Sequence, residues 1–500
     1  MKYMSPTMRT ILVTFFVALV GTFIFALPAF AAPAMLTQYM ELEARGEQVL
    51  LLQKILATDG AVYPEGTVSG YFGPLTEKAV LRFQKKYGME QLGVVGPKTR
   101  VKLNEIAVAK GIVGASSAAP AGGATSAASG AFEVSGWIPY WAKEKGVAET
   151  RAHLDQLKEI NPFAYTVKQD GTLFDAMKIN EEPWTPLLTE AREKKVRIIP
   201  SILWTDADAM HETFISTAKR RAHIASIVKT VNENNFDGID LDYEAKYAKT
   251  KPFFSLFLKE LYAAMGKKWV MCTIEPRTPL EAKYDTIPTD VQFANDFVAI
   301  NKYCDRVRIM TYDQGAIDIH LNRAGTGPYV PVADPLWVKK VVDLAAKDIA
   351  KNKLVIGVTT YGYEYEVTPL AKGYRYARQF SLSHGYALDM AKAFGITPVR
   401  NRAGEMSFSY IPTDDASVTQ PHNGSSTSTI DQSNNPVDAT LVGQVDGLTI
   451  ANALPQRLIW WSDGGAVKQK VDLARQLGVR GVAVFKFDGG ADPKVWDGLK

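Results

Sequence analysis

From Phe132 onward, short apolar runs alternate with stretches of helical periodicity. The runs fall at residues 134–140, 163–167, 196–203, 238–244, 269–274, 306–312, 354–361 and 481–487. The first seven begin roughly 30 to 48 residues apart, which leaves room for a crossover helix that returns each strand parallel to the last. Residues 222–231 and 466–477 fit such helices. Eight units of this kind predict an α/β fold, a (β/α)8 TIM barrel. The gap from Tyr361 to Gly481 is too long for one helix. It holds the strand-like Ser407-Phe408-Ser409-Tyr410 and then a polar stretch, residues 413–436, rich in Ser, Asn, Asp and Thr. The gap reads as an α+β insertion after strand seven, at about residues 365–457, with a mobile surface loop inside it.

The fourth run carries a second pattern. Across Phe236-Asp237-Gly238-Ile239-Asp240-Leu241-Asp242-Tyr243-Glu244, apolar residues alternate with carboxylates. Period two sends successive side chains to opposite faces. Ile239, Leu241 and Tyr243 then share one face, and Asp240, Asp242 and Glu244 the other. Like charges about 7 Å apart along a strand raise each other's pKa where that face is partly buried. A solvated edge strand or a cation site is the bland alternative. Three acids with no base between them point instead to a carboxylate ladder inside the barrel, ending in a proton donor at the strand's C-terminal end. Asp237 has the opposite parity and is expected to hold backbone or the strand entrance. Gly238 is expected to permit close packing there.

The spacing Asp237-x-x-Asp240-x-Asp242-x-Glu244 resembles the signature of family 18 glycoside hydrolases, the chitinase-like enzymes. The resemblance covers most of residues 132–500. It implies substrate-assisted hydrolysis, in which the N-acetyl carbonyl oxygen of the sugar attacks its own anomeric carbon. It implies Glu244 as the general acid, Asp242 as the partner of the acetamide, and Asp240 sharing a proton with Asp242. The three carboxyls are expected to titrate as a coupled set, with burial and negative neighbours raising the pKa of Glu244.

On strand six, Met310-Thr311-Tyr312-Asp313 resembles the family's M-x-Y-D motif. Met310 and Tyr312 share parity and are expected to point inward. The resemblance implies that Tyr312 donates to the acetamide oxygen and that Asp313 reaches a sugar hydroxyl or neighbouring tyrosines. Trp137, Tyr140, Trp141, Trp204 and Tyr361 lie near other strand ends and are candidates to stack on sugar faces. For each of them core packing is an equal alternative. Glu275, after strand five, is a further polar candidate. Many family members carry a tryptophan on strand eight as the floor of the cleavage subsite. This chain has Phe485, which stacks over less area.

The N-terminal part reads differently. Lys2 and Arg9 precede an almost wholly apolar run from Thr10 to Leu27, and Ala29-Phe30-Ala31 is an A-x-A cleavage site. Residues 1–31 therefore read as a signal peptide. The run is also long enough for an uncleaved membrane anchor, the alternative reading. Within residues 42–106 a motif is echoed: Gly70-Tyr71-Phe72-Gly73-Pro74-Leu75-Thr76 and Gly93-Val94-Val95-Gly96-Pro97-Lys98-Thr99. Each Gly-Pro opens a helix, where proline loses no hydrogen bond. Helical spacing follows in Ala79, Val80, Phe83 and Tyr87, and precedes in Val49, Leu52, Ile55 and Leu56. The result is a small three-helix domain ahead of the barrel. Its doubled motif resembles the peptidoglycan-binding type 1 module. Residues 112–131, rich in Ala, Ser and Gly, read as a flexible linker.

Composition narrows the remainder. Five hundred residues suggest two or three domains, and a net charge of +4, spread along the chain, leaves no nucleic-acid footprint. Two cysteines exclude a disulfide framework, and Cys272 reads as a small core residue. No His/Cys cluster has zinc spacing, so no metal or cofactor is called for, and a metal-dependent amidase is disfavoured. The domain order resembles spore-cortex and cell-wall glucosaminidases. The expectation is an exported, secreted or wall-associated monomer that cleaves peptidoglycan after N-acetylglucosamine and touches membrane only through an uncleaved N-terminus. A chitinase shares every catalytic residue. A glycan-binding lectin on the same barrel is the third alternative, and the presence of Glu244 counts against it.

Overall fold

The computed structural model describes residues 35–36, 40–42, 44–89, 91–112, 131–325, 327–370, 373–412 and 456–500. The signal or anchor segment, nearly all of the linker, and the polar stretch at 413–436 lie outside the described residues. Among the described residues no helix is long and apolar enough to cross a membrane. The chain divides into two units, Met1–Thr125 and Ser126–Lys500.

The first unit contains helices Glu47–Leu56, Pro74–Lys86 and Pro97–Ala109. Val49, Leu52, Ile55, Phe72, Ala79, Val80, Phe83, Val95 and Leu103 fill its core. The echo in the sequence is an echo in structure. Gln53 accepts from the N–H groups of Ser69 and Gly70 and donates to the Tyr71 carbonyl and Thr76 Oγ1. Gln84 does the same with Leu92, Gly93, Val94 and Thr99. Each glutamine satisfies backbone groups of a turn that no helix or sheet can reach, so its burial is fully compensated. Tyr87, expected on the apolar face, lies just past its helix, exposed, with its ring 4.7 Å from Phe83.

In the second unit the barrel strands are β1 Glu133–Pro139, β2 Glu159–Val167, β3 Ser201–Trp204, β4 Gly238–Tyr243, β5 Trp269–Ile274, β6 Arg306–Ile309, β7 Leu354–Thr359 and β8 Gly481–Phe485. Each pairs in parallel with the next, and β8 pairs with β1, so the sheet closes. All eight apolar runs are strands, with two adjustments. The third is split around Ile199-Pro200, where proline lacks the N–H for a regular ladder. The sixth ends at Ile309, because Thr311 and Tyr312 donate to carbonyls two residues back and curl the chain.

The outer face of β4 packs on the helices. Ile239, Leu241 and Tyr243 belong to one core with Phe254, Phe257, Leu258 and Leu261 of helix Lys251–Met265. Those helix positions recur at the spacing of a single apolar stripe. Each fully buried Leu or Phe contributes about 1.5–3 kcal/mol. Asp237 holds backbone, its Oδ2 accepting from the Ile198 N–H at 2.7 Å. A Cβ on Gly238 would sit 2.3 Å from the Trp269 carbonyl oxygen, so only glycine fits. At the N-terminal end of the barrel, Glu133 joins Arg197, Arg306 and Arg480, and Glu159 joins Arg197 and Arg308.

The insertion is a five-stranded antiparallel sheet in the order Gly373–Ser383, Tyr361–Leu370, Gln456–Trp461, Met406–Tyr410, Val399–Arg400, with helix His384–Ala393 packed on it. It begins at Tyr361 rather than near 365, because the strand after β7 runs straight into it. Fully buried Glu405 ties it to the barrel. Its oxygens accept from the N–H groups of Val332 and Ala333, from Trp460 Nε1 and from Lys470 Nζ. Cys272 is buried on β5, as a core residue should be, but it also forms a disulfide with Cys304. The fold brings together these two cysteines, 32 residues apart in the chain.

Candidate active site

The inward face of β4 rises from a compensated acid to uncompensated ones. Asp240 is fully buried. Its Oδ2 accepts from Ser201 Oγ at 2.6 Å and Trp137 Nε1 at 3.2 Å. Its Oδ1 accepts from Thr273 Oγ1 at 2.9 Å and lies 2.8 Å from Arg308 Nη1. Burial pushes this carboxyl up to about 6, against the pull of the three hydrogen bonds. Asp242, one step up the same face, is also buried, and its Oδ1 has no hydrogen-bond partner. Burial first, and then the charges of Glu244, Asp240 and Glu275, hold its pKa well above the carboxylate range. Glu244 stands just past the strand, its N–H still donating to the Trp204 carbonyl at 2.9 Å. Its side chain is partly exposed at the barrel mouth. Burial and the neighbouring Glu275 and Asp313 push it up to about 7, while Lys246 pulls it down.

The other predicted residues sort into two sets. Tyr312 and Phe485 stack at 5.8 Å between ring centres, with Tyr361 edge-on to both. Burial and the charge of Asp242 raise the Tyr312 phenol. Asp313 Oδ1 accepts from Tyr361 Oη at 2.6 Å and from Tyr363 Oη at 2.8 Å. Tyr140, Trp141 and Phe163 continue the aromatic lining, and Lys486 Nζ lies 5.5 Å above the Trp141 ring. Met310 is partly buried and packs against the barrel unit's main core. Glu275 accepts from the Ala245 N–H at 2.9 Å and Asn295 Nδ2 at 2.8 Å. Burial would raise it, yet Lys246 and these hydrogen bonds leave its pKa lowered.

Two aromatics do not line the mouth. Trp137 is 1% exposed and lies inside the barrel beneath the mouth, its ring edge-on to Phe485 at 5.9 Å and its N–H directed to Asp240 and Ser201. Trp204 faces the helices, packed among Phe214, His223 and Tyr243. The register explains it: Ser201 pairs with Asp240 and points inward, so Trp204, opposite Tyr243, points out.

Lys246, Asn295 and Tyr363 escaped the sequence reading. Tyr363 follows Tyr361 by two on one strand, so alternation was the available signal there, whereas Lys246 lies in the turn after β4, past the alternation. Asn295 sits in a loop and carried none. Among the described residues, no group of three His, Cys, Asp or Glu side chains is placed to hold a metal ion.

The chain that carries this acid ladder resembles known sequences. The family model described as Glycosyl hydrolases family 18 matches residues 136–490. The chain belongs to family 18 of the glycoside hydrolases. In this family 18 chain a second model, for a putative peptidoglycan binding domain, matches residues 45–103 of the first unit. The cortical fragment-lytic enzyme of Bacillus anthracis is 22% identical over 362 residues, covering 71% of this chain and 70% of that protein. An uncharacterized glycosylase of Bacillus subtilis, YvbX, is 24% identical over 226 residues, 43% of this chain. That match spans 62% of the relative's length. Among solved structures, the spore cortex-lytic enzyme SleL of Bacillus cereus superposes with a TM-score of 0.53 at 18% identity, covering 74% of this chain and 73% of that one. A chitinase of Chromobacterium violaceum does so with 0.53 at 16% identity, covering 74% and 98%. Both share the fold.

Proposed function

We propose that this family 18 hydrolase is exported and cuts the β-1,4 bond after N-acetylglucosamine in peptidoglycan, by a substrate-assisted, retaining mechanism. The observation that carries the reading is the contrast among the carboxylates at the mouth. Asp242 keeps a buried oxygen without a partner. Glu244 holds a proton near neutrality. Asp313 and Glu275, the two candidates for a direct nucleophile, are each tied down by two hydrogen bonds.

In the proposed reaction Glu244 donates its proton to the leaving oxygen as the acetamide oxygen closes on the anomeric carbon. Asp242 accepts from the acetamide N–H and offsets the positive charge of the oxazolinium ring. Tyr312 donates to the acetamide oxygen and orients it. Water then opens the ring, with Glu244 taking its proton, so configuration is retained. Phe485 is the floor under the reacting sugar. Asp240, held by four partners, fixes the ladder from below.

The first unit supplies the address, since its family is described by peptidoglycan binding. The cortical fragment-lytic relative favours the same substrate. A chitinase is the second reading, favoured by the chitinase fold neighbour. Mass spectrometry of products from purified peptidoglycan tests the bond. Reducing-end N-acetylglucosamine supports the proposal, and reducing-end N-acetylmuramic acid overturns it. Faster cleavage of chitin oligosaccharides than of wall strands favours the chitinase.

A further inference from the structure

The turn that follows Glu244 is held by a lysine and a glutamate. Ala245 adopts a left-handed backbone, φ 57°, which residues other than glycine seldom take. Its N–H donates to Glu275 Oε1 at 2.9 Å. Glu275 Oε2 accepts from Asn295 Nδ2 and lies 3.9 Å from Lys246 Nζ. The Lys246 side chain is only 1% exposed. Its ammonium donates to the Tyr243 carbonyl and lies 4.9 Å over the Phe254 ring. The backbone on both sides of Glu244 is thus held by these two side chains.

We infer that Lys246 and Glu275 are a positioning pair that fixes the turn carrying Glu244 and sets the protonation of its carboxyl. This rests on the reading of Glu244 as the proton donor. Besides the Tyr312 phenol, four charged groups interact electrostatically with Glu244. They are Asp242 on the same strand, Glu275 from beyond β5, Asp313 from beyond β6, and Lys246 on the turn. Lys246 is the cation of that set. Because it is buried, water and salt screen it poorly. A neighbouring opposite charge favours the ionised acid, and a like charge disfavours it. Lys246 therefore keeps Glu244 from becoming too weak an acid, and Glu275 keeps it from ionising too early.

The two halves of the pair predict shifts of opposite sign. The test is the pH profile of kcat/KM on soluble N-acetylglucosamine oligosaccharides, whose alkaline limb reports the acid of the free enzyme. Lys246→Met is expected to move that limb up by about one pH unit. Glu275→Gln, whose amide oxygen still accepts from Ala245, is expected to move it down by about one unit. Lys246→Arg keeps the charge and should restore the wild-type limb. A purely structural role would lower activity without opposed shifts. Shifts of the same sign, or none in either variant, overturn the inference. If Lys246→Met does not fold, the downward shift in Glu275→Gln supports the pair and its absence overturns it. Wild-type turnover in Glu244→Gln overturns the acid assignment itself. An inactive Glu244→Gln with unshifted profiles in both charge variants overturns the positioning pair alone.

Discussion

His223 lies behind β4 and makes a stability prediction whose size follows from its contacts. It sits on helix Thr217–Glu233, fully buried, with Nδ1 2.6 Å from the Gly171 carbonyl and Nε2 2.7 Å from Tyr243 Oη. A carbonyl only accepts, so Nδ1 carries the proton, and Nε2 accepts from the tyrosine. A second proton would make both nitrogens donors, break the Tyr243 hydrogen bond as it stands and bury a cation among Trp204 and Phe257. Burial accordingly pushes the imidazole down to about 4, although the Gly171 carbonyl favours the charged form.

The unfolded chain binds this proton near about 6.5, so it takes up more protons than the folded chain throughout the window between. Stability from His223 is complete above that value and is lost as pH falls toward about 4. Between about pH 7 and pH 5 the loss is about 2 kcal/mol. All nine tryptophans follow residue 131, so their fluorescence in urea reports the barrel unit alone. His223→Gln keeps a donor and an acceptor but does not titrate. It starts less stable than wild type through lost packing, yet its unfolding free energy should fall by about 2 kcal/mol less between those two pH values. Parallel losses in the two proteins would refute the reasoning, because the acid sensitivity would then lie elsewhere.

The remaining predictions concern the reaction and its address. Glu244→Gln should lower turnover about 10²–10⁴-fold, with oligosaccharide affinity by calorimetry nearly unchanged. A thiazoline analogue of N-acetylglucosamine should inhibit competitively, since catalysts bind species resembling the transition state best, and Asp242→Asn should weaken that inhibition. De-N-acetylated glycan should bind yet scarcely be cut, and comparable rates on acetylated and deacetylated strands would rule out the substrate-assisted route. Deleting residues 42–106 should weaken sedimentation with intact cell walls and leave cleavage of short soluble oligosaccharides unchanged.

The barrel was legible because its signal is local. Strand periodicity and strand spacing fix the number of βα units, and period two on β4 fixes which acids share a face. Long-range register was not legible, and the readings that strayed depended on it. Trp204 was a stacking candidate by its place at a strand end, but it pairs with Tyr243 and so faces the helices. The contacts of Asp240 to Trp137, Ser201, Thr273 and Arg308, contributed by four other strands, were out of reach of the motif as well. The disulfide, and the hydrogen bonds from Tyr361 and Tyr363 to Asp313, likewise join residues that only the closed barrel brings together.

Those partners give the ladder a gradient that the motif alone does not express. At the bottom, Glu133 and Glu159 are matched by Arg197, Arg306, Arg308 and Arg480, and burial of these charges is offset pair by pair. Asp240 shares Arg308 with that layer and adds three hydrogen bonds. One step higher, Asp242 has a buried oxygen with no protein partner, which burial makes costly. At the top, Glu244 borrows a counter-charge from a lysine that also serves Glu275. A strand that merely closed a barrel would gain stability from a compensated acid at every level. Here compensation thins toward the mouth, where a positively charged oxazolinium ring and a leaving oxygen would complete it, and that gradient supports the proposal that the reaction takes place at this end of the strand.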